Sequence, residues 1–165
     1  MTAEKISQRL LAAGVTAEFK PTTPDPHLEI QREELLQVAL LLRNDPDLAF
    51  DSLMCLSGLD WPNRLEVVYN LFSFKHRHKI TLKVRCPKDN PIVPSVAQIW
   101  PTANFHEREA YDLIGVRFEG HPDPRRILLP DDWEGHPLRK DYQPPEFWHD
   151  IPVTVQLPTA IDEGN

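Results

Sequence analysis

Residues 64–85 read RLEVVYNLFSFKHRHKITLKVR, and apolar side chains alternate with polar ones along much of this stretch. Such alternation is typical of β-strands, in which successive side chains point to opposite faces. The apolar positions of the second half are Ile80, Leu82 and Val84. In the first half, residues 64–74, both faces carry apolar residues, which favours a central strand. The polar residues 75–78 between the halves predict a hairpin connection.

Other patterns surround this hairpin. An apolar run at residues 50–59 ends at a turn signal, residues 60–63, and predicts a strand before the hairpin. Helical spacing of apolar residues predicts helices at 4–13 and 32–43, and weaker patterns predict short strands at 15–20 and 27–31. The expected fold class is α+β, an antiparallel sheet meander with helices packed on one face.

The second half of the chain has a different character, because 12 of the 17 prolines follow Arg85. Residues 94–100 predict one or two helical turns. A helix is expected from Asn104 to Ile114, with Asn104 as its cap, Glu107 completing a capping box, and Gly115 ending it. We expect no regular element after Phe118. The predicted organisation is an α+β domain, residues 1–118, followed by an extended Pro-rich partner-binding arm, residues 119–165.

The arm contains a near repeat. Residues 119–122 and 134–137 both read EGHP, and the basic pairs Arg125-Arg126 and Arg139-Lys140 follow them. Backbone amides without helix or strand partners must bond to water, side chains or another protein. A Pro-rich segment with charges of both signs therefore predicts an arm that binds a partner surface.

Composition narrows the function classes. A net charge of −7 argues against nucleic acid and against anionic membrane surfaces as partners. The chain carries no G-x-G-x-x-G or Walker sequence for holding phosphates. Cys55 and Cys86 lie in apolar contexts and are expected to be buried free thiols in a reducing compartment.

Three roles remain open for Glu107, which falls on the apolar face of its predicted helix. It could complete the capping box, pair with an arginine of the arm inside the protein, or act as a general acid or base. Arg108 and Asp112, four residues apart on the opposite face, are expected to form a surface pair.

Metal sites find little support in the sequence. His106-Glu107 lacks the second histidine of a zinc-protease helix, because Ala110 stands there. His76 and His78 are expected to be solvated turn residues. A free-standing metal-dependent hydrolase using His121 and His136 is an alternative hypothesis. Trp133 and Trp148 are candidate anchors in a partner's pocket, or else pack on the chain's own sheet.

Longer motifs resemble one family. They are EREAYDLIGVRFEGHP at 107–122, RRIL at 125–128 and WEGHPLRKDY at 133–142, together with residues 64–74 and 93–101. They are similar to the signature of the 30-kDa-type subunit, also called the C subunit, of proton-pumping NADH–quinone oxidoreductase, respiratory complex I. The resemblance covers about residues 50–142.

The resemblance implies a non-catalytic, cofactor-free subunit of the peripheral arm, with FMN and iron–sulfur clusters held by partner subunits. Its implied partners are the quinone-site subunit, called D, and the iron–sulfur subunits B and I. Its implied location is the cytoplasmic side of the cell membrane, within a translocase that passes electrons from NADH to quinone. The alternative is the equivalent subunit of a membrane-bound hydrogenase, or of an F420H2 or cyanobacterial-type dehydrogenase.

No catalytic, cofactor or metal residue is expected in the chain itself. The residues expected at the partner interface are Glu107, Arg108, Glu109, Asp112, His121, Arg125, Arg126, Trp133, His136, Arg139, Lys140 and Tyr142. Among them, the basic residues Arg125, Arg126, Arg139 and Lys140 are expected to donate to carboxylates or backbone carbonyls of a neighbour.

Overall fold

The computed structural model describes residues 1–22 and 24–153, so the last part of the predicted arm, residues 154–165, lies outside the described residues. The domain elements are α1 Ala3–Ala12, β1 Ala17–Lys20, β2 His27–Ile30, a 3₁₀ turn Arg32–Glu34, α2 Leu35–Asn44, β3 Ser52–Trp61, β4 Arg64–Ser73 and β5 His78–Cys86. The later elements are β6 Ile92–Pro94, α3 Ala103–Ile114, β7 Arg117–Glu119, β8 Phe147–Trp148 and β9 Ile151–Pro152. The predicted α+β class is confirmed.

The main sheet has the strand order β1-β2-β5-β4-β3. Strand β4 lies between β5 and β3, as its two partly apolar faces predict, and both of these pairings are antiparallel. The β1–β2 hairpin, however, joins β5 through a parallel pairing of β2, so the sheet is not a pure meander. Parallel pairing requires a long connection, and periodicity within a strand does not reveal it.

One face of the sheet forms the core. Buried side chains from β4 and β5 alternate along these strands with side chains that are more exposed, apart from Glu66. Helix α3 packs on this face against β3, where a Cβ added at Gly58 would come within 3.2 Å of Ile114. The helices contribute a further buried set, namely Ile6, Leu10, Leu35, Val38, Ala39 and Leu42. The core therefore positions α3 firmly against the sheet.

The start of α3 differs from the prediction. The helix begins at Ala103 with Thr102 as N-cap, and no side chain caps it. The hydroxyl of Thr102 instead donates to the Leu53 carbonyl at 3.2 Å, and the Trp100 indole donates to the Phe50 carbonyl at 2.8 Å. The predicted capping box of Asn104 and Glu107 is wrong, because these bonds to the strand region fix the helix start before Asn104.

Smaller differences concern the loops. Residues 94–100 form one turn, closed by the Trp100 N–H on the Val96 carbonyl, after the short strand β6. Strand β7 pairs in parallel with β6, and β8 pairs with β9, so the expectation of no regular element after Phe118 is wrong at these places. Cys86 is buried and Cys55 partly exposed, both as free thiols.

His78 is buried rather than solvated, because its Nε2 donates to the Leu48 carbonyl at 2.8 Å inside the protein. Within residues 1–22 and 24–153, every helix is too short or too polar to cross a lipid bilayer.

Candidate functional site

The two Gly-His-Pro segments dock at the two ends of α3. His121 Nε2 donates to the carbonyl of Asn104 at 3.1 Å, and His136 Nδ1 donates to the carbonyl of Asp112 at 3.0 Å. Gly120 and Gly135 adopt nearly the same left-handed conformation, with φ of +78° and +79°. The two carbonyls are eight residues apart, about 12 Å along a helix. The imidazoles are thus held apart, which does not fit the shared metal of the hydrolase hypothesis.

Asp112 is the main anchor of the arm. Its carboxylate is completely buried and accepts from Arg126 Nη1 at 2.7 Å. The same carboxylate also accepts three consecutive backbone N–H groups at 2.7–3.0 Å, those of Ile127, Leu128 and Leu129. The predicted surface pair of Arg108 and Asp112 is therefore wrong, because Asp112 faces the arm and not water.

The charge on Asp112 is stabilised by these bonds. Burial alone would raise its pKa, but hydrogen bonds from the Leu129 amide, from Arg126 and from two more amides outweigh burial and lower the pKa. Asp112 is therefore ionised at neutral pH, paired with the arginine.

Arg126 continues the connection into the second Gly-His-Pro segment. Its Nη2 donates to the carbonyls of Trp133 and Gly135 at 2.8 and 2.9 Å. From the helix side, Arg108 donates to the carbonyls of Arg125 and Arg126 at 3.0 and 2.7 Å. These two guanidinium groups satisfy backbone carbonyls that the irregular arm cannot pair by itself.

The end of α3 is shaped to receive the arm. Gly115, at φ +85°, ends the helix, and a Cβ there would lie 2.6 Å from His136 Cδ2. The His136 ring lies 5.6 Å from the Tyr111 ring in an edge-on arrangement. The Leu138 amide donates to the Leu113 carbonyl at 2.9 Å. Gly115 therefore combines a helix stop with a close approach that no side chain permits.

Glu107 occupies a second buried polar site, near the start of α3. Its carboxylate accepts from the Ser95 hydroxyl at 2.6 Å and from the Val96 amide at 2.8 Å. Burial raises the pKa of Glu107 to about 7, because these two bonds do not compensate for lost hydration. Glu107 is buried, as the predicted pairing inside the protein requires, but its partners belong to the β6–α3 loop and are not an arginine of the arm.

His121 closes this site without supplying a charge. Its Nδ1 accepts from the Asp123 amide at 2.9 Å, so the proton sits on Nε2, which donates to Asn104. The imidazole is therefore neutral, with Nε2 3.8 Å from the Glu107 carboxylate. A cavity of about 330 Å³ adjoins the site and is walled by Tyr111 and Phe118 among others. Glu107 and His121 also line this cavity, although the Glu107 side chain is completely shielded from water.

The other predicted interface residues differ in exposure, since Glu109, Arg125 and Lys140 are exposed, whereas Arg139 is largely covered. Arg125 and Arg139 each pair with a nearby aspartate of the arm. The Lys140 amide donates to the Asp60 carboxylate at 2.8 Å, which ties the arm to β3. Among the described residues, no group of three or more His, Cys, Asp or Glu side chains is arranged for a metal ion.

Two tryptophans pack within the arm itself. The Trp133 indole donates to the Tyr142 hydroxyl at 3.0 Å, and the ring of Trp133 lies 5.8 Å from that of Trp148. Their rings therefore stabilise the arm, where the sequence left open a partner's pocket or the chain's own sheet.

The apolar surface of the arm was not predicted from the sequence. Four large side chains are about 60% exposed although the surrounding backbone is fixed, namely Leu128, Leu138, Phe147 and Ile151. Apolar residues in a segment without helical or strand periodicity were the available signal. Such groups exposed on an ordered segment are typical of a surface that a partner covers.

Residues 28–147 match the family model described as the respiratory-chain NADH dehydrogenase 30-kDa subunit. A protein of Chloroherpeton thalassium, named as the C subunit of NADH-quinone oxidoreductase, is 57% identical over 70% of this chain. The match spans about half, 49%, of that relative's length. A protein of the same name from Chlorobium phaeobacteroides is 44% identical over 91% of this chain and 98% of its own.

Two solved structures are also similar to this chain. The trypsin-resistant fragment of Nqo5 has a TM-score of 0.62 and 29% identity, covering 74% of this chain and 99% of the fragment. A chain of an archaeal membrane-bound sulfane sulfur reductase, a respiratory membrane complex, has a TM-score of 0.69 and 27% identity, covering 85% of both chains.

Proposed function

The chain belongs to the family of the 30-kDa subunit of respiratory-chain NADH dehydrogenase, and we propose that it acts as a non-catalytic subunit of an NADH–quinone oxidoreductase. In this proposal the chain holds no cofactor, and FMN and iron–sulfur clusters belong to its partners. Electrons pass from NADH to quinone through those subunits, coupled to proton translocation. The chain supports the quinone-site subunit and the iron–sulfur subunits B and I at the cytoplasmic side of the membrane.

One observation carries the proposal. The part of the arm from His121 to Leu138 is fixed by bonds to α3, yet the arm presents apolar side chains to solvent. Large apolar side chains left exposed on a segment that is held by such bonds support a surface that a partner covers. We infer that the internal bonds preorganise the arm, so that a partner binds it without ordering it first.

The interface roles of the predicted residues then divide into two kinds. Asp112, Arg126 and His136 act inside the chain, where they hold the arm in its conformation. Arg125 and Lys140 are exposed and are proposed to contact the partner directly. Since Glu107 is completely buried, its proposed role is also to position the loop and His121.

The parent complex is proposed to use NADH, because relatives covering most of this chain carry that name. A structural match to a sulfane sulfur reductase shows that the fold also serves another respiratory membrane complex. Purification therefore has to read out the electron donor as well as the subunits.

The test is affinity purification of the tagged chain from membranes in mild detergent. We expect a flavin- and iron–sulfur-containing assembly that reduces quinone with NADH. The isolated tagged chain, produced alone, is the matched control and should contain neither flavin nor metal. Recovery of the chain alone from membranes, or a stoichiometric metal or flavin on the isolated chain, would contradict the proposal.

A further inference from the structure

Strand β4 has a second face that the fold leaves open. Its side chains there are Glu66, Val68, Asn70 and Phe72, opposite the core positions Leu65, Val67, Tyr69 and Leu71. The strand register places Ser57, Val68 and Lys83 in one row across β3, β4 and β5. We call the face formed by these outward positions of β3, β4 and β5 the open face. Helix α3 packs on the opposite side, where Ile114 meets Gly58.

The open face is more apolar than a solvated sheet face. An antiparallel sheet with one wet side normally carries polar residues there. Here Met54 and Leu59, both on β3, are 62% and 39% exposed, and Val68 lies on the neighbouring strand β4. Phe74, just beyond β4, is 69% exposed and contacts Phe72 edge to face at 5.2 Å. A shallow cavity of about 370 Å³ lies on this face, lined by Met54 and Val68 among others.

The charge of the open face is opposite to that of the whole chain, whose net charge is −7. Among the described residues, Lys79 and Lys83 have no carboxylate within 4.0 Å. Two of the nearby carboxylates, Glu29 and Glu66, both contact Arg85, and the third, Asp25, lines the cavity without an ion pair to either lysine in the described residues. The apolar residues are therefore flanked by two ammonium groups that lack an ionic partner in the described part of the chain.

We propose that the open face docks a segment of a neighbouring subunit that presents apolar side chains together with Asp or Glu residues, an inference that rests on the proposed function. Three strands about 4.8 Å apart and nine or ten residues long offer roughly 450 Å². One helix of about 10 Å diameter covers that width. A stable interface buries about 800 Å² on each partner, so the open face supplies one part and the arm another.

Photo-cross-linking tests which segment covers the face. The probe is p-benzoylphenylalanine in place of Ser57, an exposed position in the middle row, within the complex purified through the tagged chain. The same probe in place of the exposed Glu4 on α1 measures background. We expect a cross-linked peptide from another subunit that contains Asp or Glu near the attachment point.

A cross-link to this chain's own residues 154–165, to a peptide without acidic residues, or to no other subunit would overturn the inference. In these cases the chain is still recovered in the complex, so the proposed function survives. Failure to recover the chain in any complex would overturn both.

Charge reversal tests the chemistry of the partner. The double variant Lys79→Glu with Lys83→Glu should reduce the fraction of the chain retained in the complex at least tenfold at moderate salt. The double variant Lys79→Arg with Lys83→Arg keeps both charges and should change retention less than twofold. Thermal melting of the isolated chains should differ only slightly, since neither lysine has an ionic partner in the described chain and only Lys83 lies in register with a carboxylate, that of Glu29. Equal retention of the two double variants would overturn the inference.

Discussion

Two completely buried carboxylates lie five residues apart on α3, and their pKa values shift in opposite directions. Burial raises the pKa of both. At Asp112 an arginine and three backbone amides reverse this effect, so the charge is retained. At Glu107 a hydroxyl and one amide do not, and its pKa rises to about 7.

The difference shows that burial does not by itself decide a protonation state; the number and charge of the donors do. It also separates two tasks on one helix. Asp112 carries a permanent charge that fixes the arm, whereas Glu107 titrates near neutral pH and holds the β6–α3 loop. Substitutions on the helix and on the arm can test this difference between Asp112 and Glu107.

The largest effect is expected from Asp112→Ala. It leaves Arg126 and three amides without their acceptor inside the protein, and breaking a buried pair costs about 3–5 kcal/mol. Because the bonds hold the arm and not the sheet, we expect the arm to detach while the domain stays folded. Hydrogen exchange at the amides of Ile127, Leu128 and Leu129 should accelerate strongly, and limited proteolysis should cut after residue 118.

Asp112→Asn is the matched control, because it keeps one acceptor oxygen and loses the charge and the second acceptor. It should give intermediate exchange rates. Unchanged protection of these amides in Asp112→Ala would show that the carboxylate does not hold the arm.

The sequence predicted the strands β4 and β5 of the central hairpin and the helices α1, α2 and α3, since periodicity and turn residues mark them locally. It did not predict the role of Asp112, and a signal was present. A carboxylate in the last turn of a helix opposes the helix dipole, which favours cations there. Such a residue requires a donor from elsewhere, and Arg126 lies only 14 residues on. The parallel pairing of β2 with β5 had no local signal, because it joins strands separated by α2, β3 and β4.

A pH-dependent effect of roughly 3 kcal/mol is expected from Glu107→Gln. The folded pKa of Glu107 is raised to about 7 from 4.5, so the wild type loses stability as pH rises through this window. Glutamine does not titrate. The unfolding free energy of the wild type minus that of Glu107→Gln should therefore fall by this amount between pH 4.5 and pH 8, measured by urea denaturation.

Asp112→Asn serves as a reference, because the pKa of Asp112 shifts in the opposite direction. The folded pKa of Asp112 is lowered below 3.8, so its contribution is present above that pH and is lost as pH falls through the folded value. The difference between the wild type and Asp112→Asn should stay constant from pH 5 to 8. A constant difference for Glu107→Gln as well would mean that Glu107 has an ordinary pKa.

A smaller effect, about 2 kcal/mol, is expected from Arg126→Ala. This side chain is partly accessible, so water can hydrate Asp112 after the truncation, although the carbonyls of Trp133 and Gly135 lose a donor. The control is Arg125→Ala, whose exposed pair with Asp123 should contribute much less. Equal unfolding free energies for the two variants, measured by urea denaturation, would contradict the internal role of Arg126.

The smallest effect, about 1–2 kcal/mol, is expected from Gly115→Ala, and it distinguishes backbone strain from the loss of a contact. Gly115 and Gly120 both have left-handed backbones, at φ +85° and +78°, so alanine is strained at either position. Only at Gly115 would the new Cβ meet another group, His136 Cδ2 at 2.6 Å, whereas at Gly120 nothing lies within 4 Å. The excess cost of Gly115→Ala over Gly120→Ala, from thermal unfolding, therefore reports the contact between helix end and arm. Release of His136 should also expose the Asp112 carbonyl and speed exchange at the Leu138 amide, and equal costs with unchanged exchange would show that the arm does not press on the helix end.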